Sequence, residues 1–162
     1  MATIAETFRK GTALLHVVAN PAVETKILLM MATGLSEVEV LASPDRTISP
    51  TQEKKFYRLV ETRLGGTPLA YITGKKEFWS LPFKIVPGVL IPRPETELIV
   101  ETVLGMRPGA GETIVDIGTG SGAIAVALGR ELPKAKIVAT DVSVRALRLA
   151  EENALKNGVR NI

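Results

Sequence analysis

In the first part of the chain, apolar positions recur at the spacing of amphipathic helices, and capping residues mark where each helix begins. Thr3-Ile-Ala-Glu6 and Ser36-Glu-Val-Glu39 are capping boxes, in which side chains satisfy the free amides of a first helical turn. Asn20-Pro21 and Ser49-Pro50 combine a capping residue with proline at the first helical position. The pattern predicts helices over 3–19, 20–34, 36–44 and 49–64, and one more turn over 67–74. Short helices joined by short turns favour a small antiparallel bundle.

From Lys75 onward the pattern changes to short apolar segments separated by turns. Segment 77–86, EFWSLPFKIV, is rich in aromatic and β-branched residues and is broken at Pro82, which predicts a short hairpin. The elements predicted after it are a helix over 94–104, a buried strand over 113–117, a helix over 121–130, a strand over 136–140 and a helix over 143–157. Alternating strands and helices indicate a parallel sheet with right-handed crossovers. Asn161-Ile162 would begin a third strand.

The change of pattern divides the 162 residues into three regions. We expect a helical bundle over 1–74, a hairpin linker over 75–92 and an α/β part over 93–162. This length is enough for one ordinary domain or two small ones.

Composition excludes several classes of function. The absence of cysteine rules out disulfides and thiolate metal sites, and the single histidine, His16, cannot build a metal cluster. The net charge is +3, with 20 basic and 17 acidic residues spread along the chain, so direct nucleic-acid binding is not indicated. No apolar run approaches the ~20 residues of a membrane span, and the N-terminus lacks the layout of a signal peptide. We expect a cytoplasmic protein.

Segment 115–126, VDIGTGSGAIAV, carries the clearest chemistry. Its glycines, Gly118, Gly120 and Gly122, lie between a predicted strand and a predicted helix. Glycines there let the backbone approach a ligand closely and point the free amides of the helix at it. Asp141 ends the next strand, about 20 residues later, where a carboxylate can accept hydrogen bonds from ribose hydroxyls. Together these features predict a nucleotide site.

Two cofactor classes fit this loop. Gly118, Gly120 and Ala123 satisfy the dinucleotide fingerprint, which keeps a nicotinamide cofactor open. The extra Gly122 and the carboxylate of Asp116 favour S-adenosylmethionine, because an anion would repel a pyrophosphate but attract the ammonium of a methionine moiety. For the glycines the alternative is a tight turn that binds no ligand. For Asp116 it is an ordinary strand-end carboxylate, and for Asp141 it is a charge placed at a helix N-terminus.

Four segments in order resemble one known family. These are RLGGTPLAYITGKKEFWSLPF (63–83), VLIPRPETELIVE (89–101), VDIGTGSGAIAVAL (115–128) and IVATDVS (137–143). The chain resembles the HemK/PrmC protein-(glutamine-N5) methyltransferases, which methylate the glutamine of the GGQ motif in peptide-chain release factors. The resemblance covers essentially the whole chain.

The resemblance implies an N-terminal bundle that docks the protein substrate, a hairpin linker and the first βαβα units of a Rossmann-like class I methyltransferase domain. It implies S-adenosylmethionine as cofactor. The residues that it assigns to the cofactor, with Asp116 added from the charge argument, are Gly118, Thr119, Gly120, Ser121, Gly122, Asp141, Asp116 and Phe78. For Phe78 the alternative is packing of the hairpin onto the domain. Segment 92–97 would flank the cofactor and substrate, with helix capping and a surface ion pair as the alternative.

The sequence departs from the family in one respect. The family's catalytic signature, Asn-Pro-Pro-Tyr, does not occur in it, so no catalytic residue is predicted. We therefore expect the N-terminal part of a longer protein, inactive alone, which self-associates through an unpaired sheet edge or leaves its second half poorly ordered. A nicotinamide-dependent oxidoreductase and a non-catalytic adaptor stay open as alternatives. A nucleic-acid adenine methyltransferase is disfavoured by the weak basic charge and the linker segment.

Overall fold

The computed structural model describes residues 1–162 and divides them into two units, Met1–Thr73 and Gly74–Ile162. The regular elements of the first unit are all helices, with no strands, as its sequence pattern predicts, and one isolated antiparallel bridge joins Thr3 and Thr47. Its helices are α1 (Ile4–Leu14), α2 (Pro21–Thr33), α3 (Glu37–Ala42), α4 (Pro50–Leu64) and α5 (Leu69–Thr73). Both predicted capping boxes form, and Ser49 with Gln52 makes a third at the start of α4.

The first helix is shorter than predicted. It ends at Leu14, and residues 15–19 form turns, in which the Val18 amide donates to the Leu15 carbonyl. The adjacent β-branched Val17 and Val18 have low helix propensity, and Pro21 restricts the backbone just beyond them. Leu15 itself is fully buried and joins the core of the first unit.

The buried side chains of the first unit form one apolar core. Residues from four of the five helices lose all or nearly all of their exposure, and the largest of them are Phe56, Ile4, Leu28, Leu29 and Val60. A forked ion pair holds the end of α4 to the start of α2, with Arg63 Nε 2.6 Å and Nη2 3.3 Å from the two carboxylate oxygens of Glu24.

The second unit begins with an antiparallel hairpin of β1 (Lys75–Phe78) and β2 (Leu81–Lys84). The break predicted at Pro82 is wrong, because the chain reverses at Trp79-Ser80 and Pro82 lies inside β2. Both turn residues have positive φ, 52° and 54°. The Glu97 carboxylate accepts from the Trp79 amide at 2.8 Å and supports this conformation. A two-stranded hairpin has free edges, so a proline is tolerated within it.

After the hairpin, strands and helices alternate. The elements are a 3₁₀ turn (Pro94–Thr96), α6 (Glu97–Gly105), β3 (Thr113–Ile117), α7 (Ala123–Glu131), β4 (Lys136–Thr140) and α8 (Val144–Lys156). The two strands pair in parallel, from Thr113 opposite Lys136 to Ile117 opposite Thr140. On the other edge of β4, the Ile137 amide donates to the Asn161 carbonyl at 2.8 Å. Asn161 therefore lies where a third strand was predicted to begin.

Helices cover one face of this sheet. Ile137 is 2% exposed, and Ala139 lines a cavity with residues of α7 and α8. On the opposite face Val115 is 53% and Ile117 is 85% exposed. The prediction of a buried strand over 113–117 is thus wrong for one of its faces, because side chains alternate along a strand and the helices pack on one side of it.

No helix in the structure combines the length and the apolar character that crossing a membrane requires.

Candidate functional site

The glycine-rich loop joins the end of β3 to the start of α7 and is tethered to the end of β4. The amides of Gly118 and Thr119 both donate to the Thr140 carbonyl at 2.8 Å. Asp141 follows Thr140 directly, so the parallel pairing brings the loop and this carboxylate to the same edge of the sheet. Ligands of open α/β sheets bind at this position, outside the carboxyl ends of the strands.

Asp141 bonds the loop through its side chain. One carboxylate oxygen accepts from the Gly120 amide at 2.9 Å, and the other accepts from the Ser143 amide at 2.9 Å. These bonds, first that from Ser143 and then that from Gly120, hold the pKa of Asp141 below its ordinary value. Each oxygen has a second lone pair, and the side chain is partly exposed. The group can therefore accept further hydrogen bonds from the hydroxyls of a ligand.

Asp116 lies at the other side of the loop. Its carboxylate accepts from the Thr119 hydroxyl at 2.8 Å, and Thr119 is buried while Asp116 is partly exposed. The short contact fixes the direction of the carboxylate. An oriented anion in this position can pair with a cationic group of a ligand.

The glycines of the loop differ in their surroundings. A Cβ atom added to Gly118, where φ is +80°, would meet nothing within 4 Å, so the backbone there faces open space. A Cβ atom added to Gly122 would lie 2.9 Å from the Cα of Ala150 in α8. Gly122 therefore permits two helices to pack closely, while Gly118 and the partly exposed Gly120 remain accessible to a ligand. No side chain caps the start of α7, which leaves its first amides to other partners.

One of the predicted site residues, Phe78, lies outside the loop. Phe78 is 1% exposed and packs edge to face on Phe83, with ring centroids 6.1 Å apart. Its ring has almost no surface for a ligand, so the geometry favours hairpin packing over the predicted cofactor contact. Ser121 is buried as well. Within segment 92–97, Arg93 and Glu95 are exposed, and Glu97 bonds the hairpin turn.

Sequence reasoning missed Asn153 of α8, which is completely buried and donates to the Ser121 carbonyl at 2.9 Å. A signal was present. Asn153 falls on the apolar face of its helix, in register with Ala146, Leu149 and Ala150. A polar residue on such a face needs a buried partner.

Comparisons with known proteins agree with this geometry. A model of the PrmC N-terminal domain matches residues 6–74, and a model of the methyltransferase small domain matches residues 94–162. The chain belongs to the HemK/PrmC family. The predicted resemblance and the predicted fold class are thereby confirmed. A methyltransferase family implies a methyl donor.

Three curated relatives share one name. The chain is 45% identical over 143 residues to a release factor glutamine methyltransferase of Moorella thermoacetica. The aligned residues cover 88% of this chain and 50% of the relative. It is 43% identical to that of Coxiella burnetii, over 88% of this chain and 52% of the relative. It is 38% identical to that of Escherichia coli, over 95% and 56%. This HemK/PrmC chain thus spans about half the length of the curated relatives it matches.

Proposed function

We propose that this chain is part of an enzyme that transfers a methyl group from S-adenosylmethionine to the side-chain amide of a glutamine in a peptide-chain release factor. The observation that carries the proposal is the Asp141 carboxylate, bonded to the Gly120 amide at the carboxyl ends of two parallel strands. Relatives named release factor glutamine methyltransferase supply the reaction and the substrate.

The loop residues fit the cofactor. The free acceptor positions of Asp141 suit ribose hydroxyls, and the open backbone at Gly118 leaves room for the methionine portion. Asp116, fixed by Thr119, suits the ammonium group of that portion. When bound, the cofactor supplies a methyl group already activated on a sulfonium, so the protein residues have to bind and align it.

The two units have different roles in this proposal. The helical bundle, residues 1–74, docks the release factor. Residues 75–92 form the linker hairpin, and residues 93–162 form the part of the methyltransferase domain that binds the cofactor. The relatives' name also supports a cytoplasmic location, where release factors act. The exposed Val115 and Ile117 support self-association of this chain, because copies of a chain can cover exposed apolar side chains.

The test is ligand binding measured by isothermal titration calorimetry, with S-adenosylhomocysteine and NAD as separate ligands. We expect S-adenosylhomocysteine to give a heat of binding and NAD to give none. Asp141→Asn should weaken binding by about 10- to 100-fold, because a neutral amide accepts hydrogen bonds from ligand hydroxyls more weakly than a carboxylate does and has one accepting oxygen fewer. Glu101→Gln, an equivalent exchange at an exposed position of α6, is the matched control and should bind normally.

Each other outcome points to a different function. Binding of NAD instead would favour the oxidoreductase, because the loop also satisfies the dinucleotide fingerprint. Binding of neither ligand would contradict the cofactor assignment and favour an adaptor.

A further inference from the structure

Asn153 is the most completely buried polar side chain of the second unit. Its carboxamide makes three hydrogen bonds to backbone groups. The oxygen accepts from the Lys84 amide at 2.7 Å, and the nitrogen donates to the Lys84 carbonyl at 3.1 Å and to the Ser121 carbonyl at 2.9 Å. Both hydrogens of the nitrogen are used, so the group has no spare donor.

The pair of bonds to Lys84 has the pattern of a strand partner. A carboxamide has the same donor and acceptor as a peptide group, and here it bonds both the amide and the carbonyl of one residue at the end of β2. The remaining hydrogen reaches the glycine-rich loop. One side chain of α8 therefore joins the hairpin and the loop, which are separated by more than 30 residues.

Two neighbours of Asn153 hold the hairpin without touching the loop. Asn157, one helical turn further, donates to the Pro82 carbonyl at 3.2 Å. Glu152 pairs with the Lys84 ammonium at 2.6 Å. The hairpin thus keeps other anchors if Asn153 is changed, and Asn157, directly after α8, offers a control with the same residue type and partner strand.

The bond to Ser121 acts on the part of the loop that carries the candidate site. Ser121 lies between Gly120, whose amide faces Asp141, and Gly122, which packs on Ala150. Glycines on both sides give this peptide wide conformational freedom, so the loop geometry depends on what fixes the Ser121 carbonyl. A buried carbonyl that loses its donor has no water to replace it, which forces the peptide to move.

We propose that Asn153 is a positioning residue for the cofactor site. It fixes the Ser121 peptide so that the Gly120 amide faces Asp141, and it couples the loop to the hairpin. The binding part of this inference rests on the proposed function. Aspartate in its place keeps the size and the bond from the Lys84 amide, but it loses both donors and puts a negative charge against two carbonyl oxygens.

The experiment compares Asn153→Asp and Asn153→Ala with Asn157→Ala. Hydrogen exchange of residues 118–122 and 75–84 is followed by mass spectrometry without ligand, and S-adenosylhomocysteine binding is followed by calorimetry. We expect both Asn153 variants to exchange at least tenfold faster in both segments and to bind the ligand at least tenfold more weakly. Asn157→Ala should speed exchange in the hairpin alone and bind within twofold of the unmodified chain.

Asn153 variants that unfold cooperatively yet keep the original exchange of residues 118–122 would overturn the inference. If those variants do not fold, the unmodified chain decides the question. S-adenosylhomocysteine should then slow exchange in both the loop and residues 75–84, and protection confined to the loop would refute the coupling. If the unmodified chain fails to bind this ligand, the cofactor assignment is wrong, and the positioning role is still decided by exchange in the unliganded variants.

Discussion

The two units solve the problem of burying apolar surface in different ways. In Met1–Thr73, helices on several sides enclose Phe56, and local capping boxes start three of them. In Gly74–Ile162, the sheet has helices on one face, and Ile117 on the other face is mostly exposed. The first unit thus encloses its core among helices whose starts are fixed by residues within one turn. The second has its candidate site at strand ends beside a face that its own helices leave open.

The largest effect is expected in the enclosed core. Phe56→Ala should lower the free energy of unfolding of the first unit by about 3–5 kcal/mol, because it removes a large buried ring and leaves a cavity. Urea denaturation followed by far-UV circular dichroism measures the change. Leu41→Ala, at an exposed position of α3, should stay within about 0.5 kcal/mol. Equal losses in the two variants would contradict the description of a closed core.

Two isoleucines on opposite faces of the sheet sharpen the comparison within the second unit. Ile137→Ala should cost about 2–5 kcal/mol, since this side chain is buried against the helices. At concentrations where the chain is monomeric, Ile117→Ala should cost less than about 0.5 kcal/mol, because in a single copy its side chain contacts water. Urea denaturation followed by fluorescence measures both values.

A large loss from Ile117→Ala would mean that the open face is covered in solution. Sedimentation velocity then identifies the cover, because Ile117→Lys should shift the chain to monomers if copies of it associate through this face. An unchanged sedimentation profile would refute self-association there.

The smallest effect concerns pH at the loop. The amides of Ser143 and Gly120 lower the pKa of Asp141 below its ordinary value of 3.8. A carboxylate with a lowered folded pKa stabilises the fold above its ordinary pKa, and the contribution disappears as the pH falls through the lowered value. Exchange of the Gly120 amide should therefore stay protected from pH 7 to about pH 5 and lose this protection only in stronger acid.

Nuclear magnetic resonance measures this titration. The carboxyl carbon of Asp141 should titrate below the ordinary value, and Asp141→Asn should remove the acid-dependent change at Gly120. A midpoint above the ordinary value would show that the two amides do not bond the carboxylate.

The sequence predicted most elements because their signals are local. Thr3, Ser36 and Ser49 mark helix starts by side-chain chemistry that works within one turn, and the apolar runs before Gly118 and Asp141 mark the two parallel strands. The loop and its carboxylate were also predictable, because a glycine-rich turn and a strand-end acid have a fixed spacing in this class of sheet.

The errors fall where distant groups decide the structure. The hairpin turns at Trp79-Ser80 against the usual preference for glycine, because Glu97 holds the Trp79 amide. Asn153 finds its partners on two other segments. Burial on one face of β3 depends on which side the helices pack. None of these features is encoded in a short window of sequence.

The turn at the tip of the hairpin also provides an optical reporter. Trp79 is the single tryptophan of the chain, and its indole nitrogen donates to Glu131 at 2.9 Å, within the second unit. Both tyrosines, Tyr57 and Tyr71, belong to the first unit. Excitation at the red edge of the absorption band therefore selects an emission that originates in Gly74–Ile162 alone. The native chain already has the label that is needed to follow the melting of its second unit separately from the first.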